Sequence, residues 1–157
     1  MITDYEQKLK EWMAENKVQA EHLSFTQSCH SVEEAAQVVG GEPEDFVKNI
    51  CMIDLEGNLI VAIVKGEDKV SLDNVAADLG TSKSKIRIAK PEEMLEKSGY
   101  PCGGTPSFGY SARFLVDERV MEKEIVYTGG GSETSLIKVS PKELLNANRG
   151  QIAKLRK

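Results

Sequence analysis

Apolar positions between residues 4 and 16 recur at helical spacing, with Tyr5, Leu9, Trp12 and Met13 on one stripe, and predict a first helix. A short strand is expected around Glu21–Thr26. Ser31-Val32-Glu33-Glu34 then reads as a capping box, in which hydroxyl and carboxylate satisfy the free N–H groups of a helix start. Val32, Ala35, Ala36 and Val39 follow at i, i+3, i+4 and i+7, and Gly40-Gly41 ends that helix. Phe46–Asp54 and Leu59–Lys65 predict a hairpin about the turn Leu55-Glu56-Gly57-Asn58. The unbroken run Leu59–Val64 has the pattern of a strand buried on both faces.

A third helix starts at Ser71, turns Val75, Ala76 and Leu79 inward and closes at Gly80. Ile86–Ala89 predicts a short strand, and Pro91 opens a helix over Glu92–Lys97 that Gly99 ends. Residues 100–110 form a loop. Ala112–Val116, Glu124–Thr128 and Ser135–Val139 read as strands, and Ser140-Pro141-Lys142-Glu143 caps a last helix through Leu144 and Leu145. Six or seven strands with four or five helices follow, in an α/β fold of the α+β type whose sheet is mixed and largely antiparallel. With no repeat, low-complexity stretch or linker, residues 1–157 are expected to form one domain.

Composition narrows the function classes. The chain has 157 residues, 40% hydrophobic and 29% charged, enough for a core without disulfides or a structural metal. No apolar run approaches the roughly 18 residues of a membrane span, and the charged, amphipathic start lacks the apolar segment of a secretory leader. Three cysteines without a CxxC pair point to a reducing compartment, hence the cytoplasm. The net charge of −5 is unevenly spread, with −10 in residues 1–80 and +5 in residues 81–157. Lys83, Lys85, Arg87 and Lys90 fall within one short stretch, and Arg149, Lys154, Arg156 and Lys157 close the chain. Such patches suit one face meeting a polyanion, or simply a solvated surface with a ragged basic tail.

Candidate chemistry begins at Lys48. Strand alternation puts Phe46, Lys48, Ile50 and Met52 on one face, and Val47, Asn49, Cys51 and Ile53 on the other. Both faces are largely apolar, so the lysine either snorkels to solvent at a sheet edge or lines a cavity. In a cavity its ammonium would offer three donors to a carboxylate, phosphate or ester carbonyl. Gly103-Gly104-Thr105-Pro106-Ser107-Phe108-Gly109 is a loop able to bring backbone close to a ligand, without a Walker A or GxGxxG pattern; it also fits a wide turn. Gly129-Gly130-Gly131-Ser132 would lie beside it if the intervening strands pair. His22 and His30 are the only histidines, and no HExxH or CxxC supports a metal site. Cys29 and His30 are adjacent and so point apart, and Cys102 reads either as a nucleophile or as a small hydrophobe.

Ser31-Val32-Glu33-Glu34-Ala35-Ala36, Phe46-Val47-Lys48-Asn49, Gly103 to Gly109 and Gly129 to Ser132, in this order, resemble the YbaK family. Their spacing is also similar to that of the editing insertion domain of bacterial prolyl-tRNA synthetase, over roughly residues 20–147. The resemblance implies a partly barrel-like sheet flanked by helices. It also implies a trans-acting deacylase that hydrolyses the ester of a mischarged tRNA, such as Cys or Ala on the tRNA for proline, with no cofactor and no metal. The family's lysine falls on Lys48, as the catalytic residue at the 3′-terminal adenosine. Asn49, Gly103, Gly104, Thr105, Pro106, Gly109, Gly130, Gly131 and Ser132 take substrate-binding roles. Lys83, Lys85, Arg87 and Lys90, with the C-terminal cluster of Arg149, Lys154, Arg156 and Lys157, would meet the tRNA acceptor stem, and a synthetase is a second partner the resemblance allows; no membrane is involved. Chemically, an aminoacyl ester is already activated, so positioned donors and excluded bulk water suffice without a triad.

Two departures bear on specificity. Asn49 stands where cysteine-specific members often have threonine, as in alanine-editing relatives. Those relatives tend to carry a histidine near the late glycine segment, where this sequence has Ser132, Glu133 and Thr134 and neither of its histidines. A binding module without turnover, holding an aminoacyl-adenosine end and docking on a synthetase through the acidic first half, is the rival reading. A thiol hydrolase using Cys102 is a third.

Overall fold

The computed structural model describes residues 4–157. Helix α1 (Asp4–Glu15), strand β1 (Ala20–Ser24) and helix α2 (Val32–Val39) lead into the hairpin β2 (Val47–Asp54) and β3 (Leu59–Lys65). Helix α3 (Leu72–Leu79), strand β4 (Ile86–Ile88) and helix α4 (Pro91–Ser98) follow. After them come β5 (Arg113–Asp117), β6 (Val126–Gly129), β7 (Ser135–Val139), α5 (Pro141–Asn148) and β8 (Gln151–Ala153). The expected caps form: the Ser31, Ser71 and Ser140 hydroxyls accept from the N–H groups of Glu34, Asn74 and Glu143, three residues on.

The strands make two open sheets that meet at one corner. One is antiparallel in the order β1-β7-β6; the other is mixed, in the order β4-β2-β3-β5-β8. The β2–β3 and β2–β4 pairs are antiparallel, whereas β3–β5 and β5–β8 are parallel. A bridge between Phe46 and Tyr127 links the sheets, and those two rings stack with centroids 5.1 Å apart.

Strand β3 is buried along its whole length, as its apolar run predicts. Leu59, Val61 and Ile63 face the main core with Leu9, Phe108, Val116, Ile137 and Leu144. Ile60, Ala62 and Val64 face a second core under α3 with Met52, Val75, Leu115 and Leu155. A third cluster, Cys29, Ala35, Ala36, Phe46 and Leu136, lies under α2.

The chain end departs from the ragged tail that its charge allows. Residues 151–153 add β8 to the sheet edge, and Leu155 is fully buried. Asp117, also fully buried, accepts from the backbone N–H groups of Arg119, Leu155 and Arg156 and pairs with the Arg156 guanidinium at 3.1 Å. A buried carboxylate satisfied from so many donors is what pins this segment. Among the described residues, no helix is long and apolar enough to cross a membrane.

Candidate active site

Strand β4 pairs only with Met52–Asp54 of β2, so residues 48–50 have no strand on that side. A cavity of about 220 Å³ occupies the gap, where β2, the two glycine-rich segments and the start of α2 converge. Lys48, half-buried and opposite Val64 in the hairpin register, lines it. Among the described residues, no carboxylate comes within ion-pair distance of its ammonium and no hydrogen-bond partner holds it. Of the two readings of the strand pattern, the geometry matches the cavity lysine.

Asn49 points to the other face of β2 and is occupied there. Its amide nitrogen donates to the Thr105 carbonyl at 3.0 Å and to the Thr128 hydroxyl at 3.2 Å. Its amide oxygen accepts from the Ser107 hydroxyl at 2.7 Å, and the Ser107 and Thr128 hydroxyls lie 2.7 Å apart. With Thr128 donating to Ser107, the three side chains close a ring in which every donor finds an acceptor. Asn49 thus ties the Gly103–Gly109 loop and β6 to the strand that carries Lys48.

The two glycine-rich segments pack backbone against backbone. The Gly131 N–H donates to the Gly104 carbonyl at 2.8 Å. A Cβ on Gly104 would sit 2.7 Å from the Gly131 carbonyl carbon, and one on Gly129 would sit 2.8 Å from the Thr105 carbonyl carbon. No side chain fits at either position. Behind this seam lies Glu6 of α1, fully buried, whose carboxylate accepts from the Ser24 hydroxyl at 2.6 Å and the Ser132 hydroxyl at 2.8 Å. Ser132 also lies 2.8 Å from the Ser135 hydroxyl. The N-terminal helix therefore braces the outer side of the cavity wall.

Both histidines reach these segments through space, although neither is close in sequence. His22 Nε2 is 2.8 Å from the Gly130 carbonyl, and His30 Nδ1 is 3.4 Å from Glu133 Oε1 at the rim, directly over Gly103. Cys29 and Cys102 line the cavity and Cys51 lies close by. Burial pushes the Cys29 thiol up, with a smaller contribution from Glu34, and raises Cys51 to about 12, so both stay protonated near neutrality. Among the described residues, no cluster of three or more His, Cys, Asp or Glu side chains could hold a metal.

Residues 26–147 match the aminoacyl-tRNA editing domain. The chain belongs to that family. It is a hydrolase of the ester bond in aminoacyl-tRNA. The uncharacterized protein YwhH of Bacillus subtilis is 30% identical over 136 residues, 85% of this chain and 82% of its own. EbsC of Enterococcus faecalis, provisionally assigned as a Cys-tRNA(Pro)/Cys-tRNA(Cys) deacylase, is 21% identical over 135 residues, 85% of this chain and 81% of its own. A crystal structure provisionally assigned as a trans-editing enzyme for prolyl tRNA synthetase superposes with a TM-score of 0.91 at 25% identity. That superposition covers all of this chain and 99% of the other. The fold is accordingly the YbaK-like one, and the editing domain relates to prolyl-tRNA synthetase.

The structure sorts the editing-domain residues foreseen from sequence into three groups. Lys48, Asn49, Gly103 and Thr105 line the cavity. Gly104, Gly130, Gly131 and Ser132 are buried in the seam behind it. Pro106 and Gly109 lie further off: the Pro106 carbonyl accepts from the Tyr110 hydroxyl, and a Cβ on Gly109 would sit 3.3 Å from Leu9 of α1. The basic stretch lies at the hairpin end of β2, away from Lys48, where Arg87 is paired with Glu93 at 2.7 Å and Lys83 with Asp73 at 3.9 Å. Sequence reasoning placed Gly129 with the second wall, and missed Phe46, Tyr127, Thr128 and Leu136 as lining residues. Their signal was present only as strand alternation, which cannot say that two sheets meet there.

Proposed function

We propose that this chain hydrolyses, in trans, the ester between a small amino acid, such as Cys or Ala, and a tRNA, with the tRNA for proline as the leading candidate. The observation that carries this reading is a cavity with a single ammonium, that of Lys48, uncompensated by any carboxylate among the described residues. A cavity of about 220 Å³ lies below the common range for drug-sized ligands and suits an aminoacyl group with a short side chain. The names of EbsC and of the trans-editing structure support the Cys and proline assignments, and Asn49 after the lysine favours Ala.

Lys48 binds the 3′-terminal adenosine or the ester and offsets the negative charge that grows on the carbonyl oxygen. Water adds to the carbonyl carbon, the bond from that carbon to the ribose oxygen breaks, and the proton released by water ends on the ribose hydroxyl. For a cysteinyl ester the substrate's own thiol can attack first: sulfur bonds to the carbonyl carbon as the bond to the ribose oxygen breaks, and the thiol proton ends on the ribose hydroxyl. Water then opens the cyclic thioester to free cysteine. Asn49 acts as a positioning residue, since its amide is engaged by Thr105, Ser107 and Thr128. Walls that fit one side chain and not the next separate substrates by roughly 1–3 kcal/mol per methylene.

The test is a deacylation panel with Cys-, Ala-, Ser- and Thr-charged tRNA, using wild type and Cys102→Ser. Rapid loss of one or two species is expected from both proteins. Loss only in wild type would indicate a thiol mechanism. No acceleration of any species, with tRNA still bound, would indicate a binding module.

A further inference from the structure

At the opposite end of the β2–β3 hairpin lies a second recess of about 1030 Å³, formed by the hairpin turn, the end of α3, the start of β5 and the end of α5. Four cations line it, Lys85, Lys97, Arg113 and Arg149, against two carboxylates, Asp54 and Glu56. Asp54 is committed to the turn, accepting from the N–H groups of Glu56 and Asn58 and from the Asn58 side chain. Among the described residues, none of the four cations has an ion-pair partner. Lys97 donates to the Gly57 carbonyl at 2.7 Å and Arg113 to the Gln151 side chain at 3.3 Å, neutral groups, so the four cations outnumber the two carboxylates of the lining and are not paired with them. Other arginines differ: Arg87, Arg119 and Arg156 are all paired with carboxylates.

Arg149 adds an independent observation. It follows α5 in the left-handed region at φ 54°, and its N–H closes the helix on the Leu145 carbonyl. Helices α2, α3 and α4 end in the same geometry with Gly40, Gly80 and Gly99, the residue type that adopts it without a steric cost. After α1 the chain also turns through a charged residue at φ 54°, Lys17, but of the two only the Arg149 side chain lines the groove.

We infer that this groove binds the phosphodiester backbone of the tRNA acceptor end whose terminal ester occupies the Lys48 cavity. The inference rests on the deacylase reading for its choice of RNA. Guanidinium forks and mobile ammonium groups along an open groove suit successive phosphates. Asp54 is six residues from Lys48 along an extended strand, about 20 Å, within the reach of a few unpaired nucleotides. Of the residues expected to meet RNA, the groove takes Lys85 from the stretch Lys83–Lys90 and Arg149 from the C-terminal cluster, and it adds Lys97 and Arg113.

The experiment is binding of uncharged tRNA for proline to the full chain, followed by fluorescence anisotropy across a salt series. The double variant Arg113→Ala/Arg149→Gly should bind about tenfold more weakly, with the slope of log affinity against log salt flattened by about 1.5–2. Arg149→Gly alone should melt no lower than wild type, because glycine accepts the backbone geometry, and yet lose affinity. Arg149→Lys should recover part of the binding. Unchanged affinity and slope in the folded double variant would overturn the inference. Deacylation by wild type, read in parallel, separates the two claims. A protein that binds through the groove but hydrolyses nothing would sink the deacylase reading alone. One that hydrolyses while the double variant keeps full tRNA affinity would sink the groove alone.

Discussion

The Gly103–Gly109 and Gly129–Ser132 segments meet over one cavity, yet their glycines serve different ends. Gly103 and Gly129 reach the cavity itself, whereas Gly104 and Gly131 join the two loops to each other through a backbone hydrogen bond. Gly109, in the left-handed region at φ 98°, belongs to the packing under α1. A glycine-rich motif thus marks a place where backbones come close. Only the three-dimensional arrangement tells whether the close neighbour is a ligand, a second loop or a helix.

Substitutions that separate these roles should differ in size and in readout. Gly104→Ala would drive a methyl into the backbone of Gly131 and Ser132, and should cost about 2–3 kcal/mol in denaturant unfolding, with deacylation falling as the seam opens. A variant as stable as wild type would mean that the loops are free to part. Glu6→Ala removes the acceptor shared by Ser24 and Ser132 and should cost about 2 kcal/mol, with Glu6→Gln recovering some of it. Ser107→Ala breaks the ring with Asn49 and Thr128, and about 1–2 kcal/mol is expected, with a fall in activity as the loop loosens. Gly109→Ala should cost about 1 kcal/mol with deacylation kept, because the added methyl strains the backbone beside Leu9 and not the cavity. A selective loss of activity there would place Gly109 at the substrate after all.

The smallest effect is expected at a surface pair remote from both loops. The Arg87 guanidinium and the Lys90 N–H hold the Glu93 carboxyl down at about 2. Its folded value thus lies below an unfolded value of about 4.3, so its contribution is complete above the unfolded value and is lost as pH falls through about 2. Glu93→Gln should slightly narrow the difference in melting temperature between about pH 6 and about pH 2. The pair is exposed, so the change is small. A large change would mean that α4 is anchored mainly through this bridge.

Local signals made most of the elements legible. Serine caps and glycine stops bracketed α2 and α3, and the unbroken apolar run of β3 announced burial on both faces. What stayed hidden was set by partners distant in sequence. Residues 151–153 are too few to announce a strand, and become one by pairing with β5. The three-stranded sheet separates from the five-stranded one because β1 pairs with β7, a choice no local pattern encodes. At the site, Lys48 and the two loops were readable from their motifs. The locking of Asn49 and the approach of His22 and His30 were not, because each depends on contacts between segments far apart in the chain.

The central claim is that the unpaired ammonium of Lys48 serves the ester and not the fold. The direct measurement is the deacylation rate of the aminoacyl-tRNA that wild type hydrolyses fastest, compared between wild type and Lys48→Ala, with unfolding followed on the same samples. The account predicts a fall in rate of about 100-fold or more, equivalent to about 3 kcal/mol of transition-state stabilisation, and little change in stability. A Lys48→Ala protein that keeps its rate, or loses it only by unfolding, would contradict it.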